Sequence, residues 1–122
     1  MSEQSVQIIN CLVGAAGTAN VPLFRVPTGY GGISLLRGWI VSDTAATITT
    51  GQLNNNGTAL GTTISSTVGT LGTVLGTLVA NVQKEFTIST AYQAEKTWLS
   101  WQNTAGAGGS GSRIILEFKW GK

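Results

Sequence analysis

Hydrophobic and polar positions alternate most clearly at 113–120, where Ile114, Leu116, Phe118 and Trp120 are separated by Arg113, Ile115, Glu117 and Lys119. An apolar residue at every second position marks a strand with one face on a core and the other in water. Because this strand comes last, it must pair with segments made much earlier, and long-range contacts close the fold, as in sandwiches and barrels. The same alternation at 82–89 points Phe86 and Ile88 inward. Residues 6–13 form an apolar run suited to a first strand. Residues 33–42 carry Ile33, Leu35, Leu36, Trp39, Ile40 and Val41 on both parities, which predicts a strand covered on both faces, either central or partly buried by a neighbouring subunit, with Arg37 turned outward. In 96–102, Trp98 and Trp101 fall on opposite parities, so one faces the core and the other faces out or into an interface.

Turn chemistry divides the rest. Pro22 and Pro27 bracket Leu23, Phe24, Arg25 and Val26, which predicts a short strand that lies on an edge or ends at each proline. Residues 28–32 form a turn rich in glycine, and 46–53 alternate Ile48 and Thr50 with Thr47 and Thr49, β-branched residues that favour a strand. Asn56-Gly57 predicts a tight type I′ hairpin, with 58–65 as the antiparallel partner of 46–53. Leu-Gly-Thr triplets begin at Leu60, Leu71 and Leu75, too irregular for a solenoid and without the lysine of a phosphate loop. Two readings of this middle stay open: a weakly paired connection with a short strand near 74–79, or a flat loop lying on a neighbouring molecule. Residues 90–95 form a corner and 103–112 a glycine-rich loop. The expected architecture is all-β: an antiparallel two-sheet sandwich, jelly-roll-like, of about eight or nine short strands.

Composition changes this picture in one respect. Residues 1–122 suffice for a single β-sandwich domain with its own core, residues 1–5 serving as an extended N-terminal arm. Charged residues, however, are only 10% of the chain, against about 25% ordinarily. Solubility then rests on hydroxyls and amides, or other protein covers much of the surface. The net charge of +2 is scattered, so no nucleic-acid partner is expected. No apolar run is long enough to span a bilayer, and the first residues lack the features of a signal peptide, which leads us to expect a protein made in a cytoplasm with no membrane partner.

Candidate chemistry is sparse. With no histidine, the Ser-His-Asp and Cys-His arrangements and every histidine-containing metal site are excluded. Of the acids Glu3, Asp43, Glu85, Glu95 and Glu117, only Glu85, Glu95 and Glu117 are candidates for a catalytic carboxylate pair, and each, with a basic residue close by in sequence, reads more simply as a solvated or ion-paired residue. The single cysteine, Cys11, excludes an intrachain disulfide and reads as a small buried hydrophobe. We therefore expect no catalytic residues, no metal and no cofactor. Trp98, Trp101, Trp120, Tyr30 and Tyr92 could stack on sugar rings, although the same side chains serve equally to fill a core or an interface.

The order of features is similar to small all-β proteins of tailed-bacteriophage virions, especially capsid decoration, or cement, proteins. The resemblance lies in Phe24-Arg25-Val26-Pro27-Thr28-Gly29-Tyr30, a strand through Trp39, a Gly/Thr/Asn-rich middle, Phe86-Thr87-Ile88-Ser89-Thr90-Ala91-Tyr92, and the Trp98 and final strands. It is one of texture across nearly the whole chain. It implies a homo-oligomer, favouring a trimer, assembled in the bacterial host cytoplasm into a virion, where it binds the major capsid protein across coat-subunit junctions. Phe24, Arg25, Tyr30 and either Trp98 or Trp101 are then the expected anchors. The alternatives are a tail, fibre or host-attachment module that binds carbohydrate, and a self-assembling coat protein.

Overall fold

The computed structural model describes residues 5–14, 19–45, 50–59, 63–72, 78–106, 109 and 111–122. Among the described residues nine strands follow in order: β1 (Gln7–Leu12), β2 (Asn20–Arg25), β3 (Ile33–Val41), β4 (Thr50–Asn55), β5 (Ser66–Leu71), β6 (Lys84–Ile88), β7 (Tyr92–Gln93), β8 (Trp98–Ala105) and β9 (Arg113–Trp120). All pairings are antiparallel, in the spatial order β1-β9-β3-β6-β5-β4-β8-β2, and β7 continues the β6 side of β3. The result is one nearly closed, barrel-like sheet in which, among the described residues, β1 and β2 are the two free ends.

The expected division into two separate sheets is corrected here. β6 pairs with β3 through Gly38↔Phe86, Trp39↔Glu85 and Ile40↔Lys84, and then with β5 through Gly69↔Ile88 and Thr70↔Thr87. Because β6 exchanges partners along its length, the ladder never breaks between the halves.

The alternation at the C-terminus builds the core. Ile114, Leu116 and Phe118 of β9 are buried with Ile33, Leu35 and Ile40 of β3, and across the interior they meet Leu53, Val68, Leu99 and Trp101. Each such side chain contributes about 1.5–3 kcal/mol by leaving water. Ring contacts tie the two halves: Phe86 of β6 lies 5.0 Å from Trp101 of β8, and Phe24 of β2 lies 6.4 Å from Phe118 of β9. β3 sits between β9 and β6, central as expected and with Arg37 outward, but its outer face is not covered, since Leu36 is 39% exposed and Trp39 and Val41 are only half-buried. β2 is an edge strand, as its prolines predict, but it runs through Pro22, with a register shift between Pro22 and Phe24.

The tight hairpin at Asn56-Gly57 does not form. β4 ends at Asn55, which pairs with Ser66, and of the expected strand at 58–65 the described residues, 58–59 and 63–65, are not in a strand, while 60–62 lie outside the described residues. The asparagine side chains explain this, because they bond the backbone locally instead of turning the chain. Asn55 Oδ1 accepts from Gly57 N at 2.7 Å, and Asn56 Nδ2 donates to Thr63 O at 3.0 Å. Of the two central residues, only Gly57 takes the positive φ that a type I′ turn needs at both. Part of the expected strand at 46–53, most of the Leu-Gly-Thr triplets and most of the short strand near 74–79 lie outside the described residues. The expected corner at 90–95 contains the short strand β7. The 103–112 loop is shorter than expected, since β8 continues to Ala105.

Two glycines set how closely rings can approach the sheet. A Cβ at Gly38 would collide with the Phe86 ring, and one at Gly51 with the Trp101 indole. Gly38→Ala and Gly51→Ala should each lower stability by about 1–3 kcal/mol through overpacking. Gly72→Ala, where a Cβ meets nothing within 4 Å, should change it little. Urea midpoints of the three variants check this.

Candidate interaction surface

The loop that follows β2 folds over one end of the barrel, and backbone bonds fix its course. Val26 N donates to Thr97 O and Lys96 N to Val26 O, both at 2.8 Å, while Gly121 N donates to Gly32 O at 2.8 Å. The Glu95 carboxylate accepts from Gly29 N, and Tyr92 donates its hydroxyl proton to Gly31 O at 3.0 Å. This course lays Tyr30 on Trp120, ring centroids 4.3 Å apart, with Tyr30 58% exposed. Trp120 in turn meets Phe118 edge-on at 5.3 Å, and Phe118 stacks with Phe24. A continuous series of rings thus runs from the surface into the core. Beside it, Lys122 places its ammonium 4.9 Å from the Tyr92 ring centroid.

The expected anchors separate accordingly. Tyr30 is exposed on a supported ring, whereas Phe24 is half-buried, its ring against Phe118. Arg25 and Trp98 are register partners across β2 and β8, Arg25 exposed and donating to Lys96 O, Trp98 half-buried. Trp101 is not a surface residue. It is 1% exposed, and its indole N–H is satisfied by Asn103 Oδ1 at 2.7 Å, so it belongs to the core and not to an interface. The prediction that Trp98 and Trp101 point to opposite environments is met, with Trp101 the inward one.

The outer faces of the two halves differ in chemistry. On the β2, β8, β4 and β5 side, side chains of Asn20, Gln52, Asn54, Thr67 and Gln102 form an uncharged amide and hydroxyl network, with Asn54 fully buried at its centre. Thr50 and Thr104 extend it through a hydroxyl pair 2.7 Å apart. On the β9, β3 and β6 side, Arg37 makes a two-pronged bond to Glu85, with contacts of 2.8 and 3.1 Å, while its guanidinium lies 4.8 Å from the Trp39 ring centroid. The amide network was missed in the sequence, although Gln52, Asn54 and Gln102 all stand on the outward parity of strand patterns. Among the described residues no three of the metal-ligating types cluster, and no pocket is present. Cys11 is half-buried, and burial pushes its thiol pKa up.

No protein-family model matches the chain, and searches of curated proteins and of solved structures find no match.

The Arg37 hydrogen bond, followed by its charge, holds the Glu85 carboxyl below the ordinary glutamate value. A lowered carboxylate pKa stabilises the folded chain above the unfolded-state pKa and is lost as pH falls through the folded one. The pair is exposed, so its effect on stability is small and screened by salt. Carboxyl NMR titration should place Glu85 below the usual range, and Arg37→Gln should return it towards that range; an unchanged midpoint in the variant would remove the pairing as the cause.

Proposed function

We propose that this chain is a non-catalytic structural protein that decorates and stabilises a bacteriophage capsid by binding the major capsid protein across coat-subunit junctions. The observation that carries the reading is how the surface is allocated. Seven large apolar or aromatic side chains are exposed among the described residues, the centre of one outer face is an uncharged amide network, and three of the acids are engaged locally. Glu85 is held by Arg37, Glu95 by Gly29 N, and Asp43 by Gly111 N at 3.1 Å. Such a surface suits broad contact with protein better than transformation of a small molecule.

The strand order supports a jelly-roll winding within the barrel. Split at the β5–β6 junction, it becomes β1-β9-β3-β6 and β2-β8-β4-β5, so that strands consecutive in the chain, such as β1 and β2 or β3 and β4, take matching places in opposite halves. The Phe24–Phe118 and Phe86–Trp101 contacts fit that arrangement. A rigid scaffold of this kind presents its end loops at fixed positions. Tyr30, braced by Trp120, is the anchor of choice, because an aromatic ring that is already ordered loses little entropy on docking.

The test is to mix the purified chain with capsids assembled without it, then measure co-sedimentation and the temperature at which the shells open. Binding with protection is expected, and Tyr30→Ala should weaken it about thirtyfold, the equivalent of about 2 kcal/mol for a buried anchor. A chain that neither binds nor protects ends the reading. The exposed Tyr30 ring also favours a second reading, a host-attachment module that stacks on sugar; glycan-array binding that Tyr30→Ala abolishes, without capsid binding, would select it.

A further inference from the structure

Among the described residues the sheet has two free edges, and they are treated differently. β2 carries Pro22, a register shift and the charged Arg25, all of which blunt an edge against further pairing. β1 has none of these devices: Gln7, Ile8, Ile9, Asn10, Cys11 and Leu12 pair in unbroken register with β9 and contain no charge and no proline. Of the seven large apolar side chains exposed among the described residues, three stand on the outward parity here: Val6, Ile8 (68% exposed) and Leu12 (58%).

We propose that β1 is a homodimerisation edge, pairing antiparallel with β1 of a second copy about a two-fold axis at Asn10. The backbone sets the allowed registers. Val13 N donates to Ser112 O, so odd-numbered residues of β1 turn their N–H and C=O groups towards β9. Ile8, Asn10 and Leu12 therefore direct theirs to the open edge. With Asn10 opposite Asn10 of the second copy, Ile8 of each copy faces Leu12 of the other, and about six new backbone hydrogen bonds form. Apolar side chains meet apolar ones, and the two asparagine amides meet each other. On β9, Glu117 lies beside Ile8 and Arg113 beside Leu12. Each four-strand row across the axis then runs Glu117, Ile8, Leu12, Arg113, with opposite charges at its ends about 14 Å apart. A parallel pairing in equal register would align like charges instead. The contact is isologous, so it closes as a dimer and adds nothing beyond it.

Sedimentation velocity of the full chain from micromolar to sub-millimolar concentration should show a reversible monomer–dimer equilibrium. Asn10→Pro should abolish it while leaving the monomer folded, because the lost N–H points away from β9 and proline is tolerated at such an edge position. In a Cys11→Ser background, Asn10→Cys should form a disulfide-linked dimer under mild oxidation at least about tenfold faster than Ile8→Cys, since only the former places its two Cα atoms within bridging distance. That comparison stands alone should the proline variant fail to fold. A chain monomeric throughout, a three-fold oligomer, a dimer indifferent to Asn10→Pro where that variant folds, or equal crosslinking rates would each overturn the assignment.

Discussion

β9 is the strand without which no other part of the barrel closes. It lies between β1 and β3, pairing with one along Leu12↔Arg113 to Gln7↔Phe118 and with the other along Val41↔Arg113 to Ile33↔Trp120. Its inward side chains Ile114 and Leu116 are fully buried, and Phe118 and Trp120 link the core to the loop after β2. Both partners are made at least about seventy residues earlier, so the loop-closure cost of these pairings is met only when nearly the whole chain has been ordered. A fold closed in this way has no independently stable half, and its surface loops inherit their positions from a strand at the opposite end of the sequence.

That dependence explains what could be read in the sequence. Alternation predicts β9 to the residue and the inward Phe86 of β6, because at those positions the two faces meet different environments. The opposite environments of Trp98 and Trp101 follow from parity alone, but which one is inward depends on the Leu53↔Trp101 register, a long-range fact. The Asn-Gly signal fails for a local reason. Turn propensity counts backbone preferences, whereas here Asn55 and Asn56 spend their amides on Gly57 N, Gln93, Thr97 and Thr63, and those bonds compete with the tight turn. The choice between separate sheets and one continuous barrel rests on two residue pairs joining β5 to β6, which no period in either segment encodes.

The candidate surface was less legible than the fold. Tyr30 could be nominated from its neighbours in a glycine-rich turn, but its support by Trp120 requires a loop near the start of the chain to lie against the last strand. Apolar alternation assigns Trp120 to the core, and it does pack against the core while lending its other side to Tyr30. The amide network shows the same limit. Asn20, Gln52, Asn54 and Gln102 are individually ordinary polar residues, and only the order β2-β8-β4 makes them neighbours.

The unequal distribution of charge gives the barrel a direction. Arg37, Glu85, Glu117 and Arg113 stand on the outer side of β9, β3 and β6, while the centre of the outer side of β2, β8, β4 and β5 is built from amides and hydroxyls bonded to one another, with Arg25 and Trp98 at its β2 end. Covering a charged face costs the desolvation of each ion, which a partner must offset with matched charge; covering an amide network already bonded within itself costs less, because few polar groups lose partners when water leaves. Any protein partner that buries one broad face is therefore favoured over the amide network, and the ionic side is left to water. The low charge content of the chain then has a structural meaning: charge is concentrated on one outer side of the barrel and, on the other, stands at the β2 edge as Arg25, so that a small domain presents two faces of different cost to whatever surrounds it.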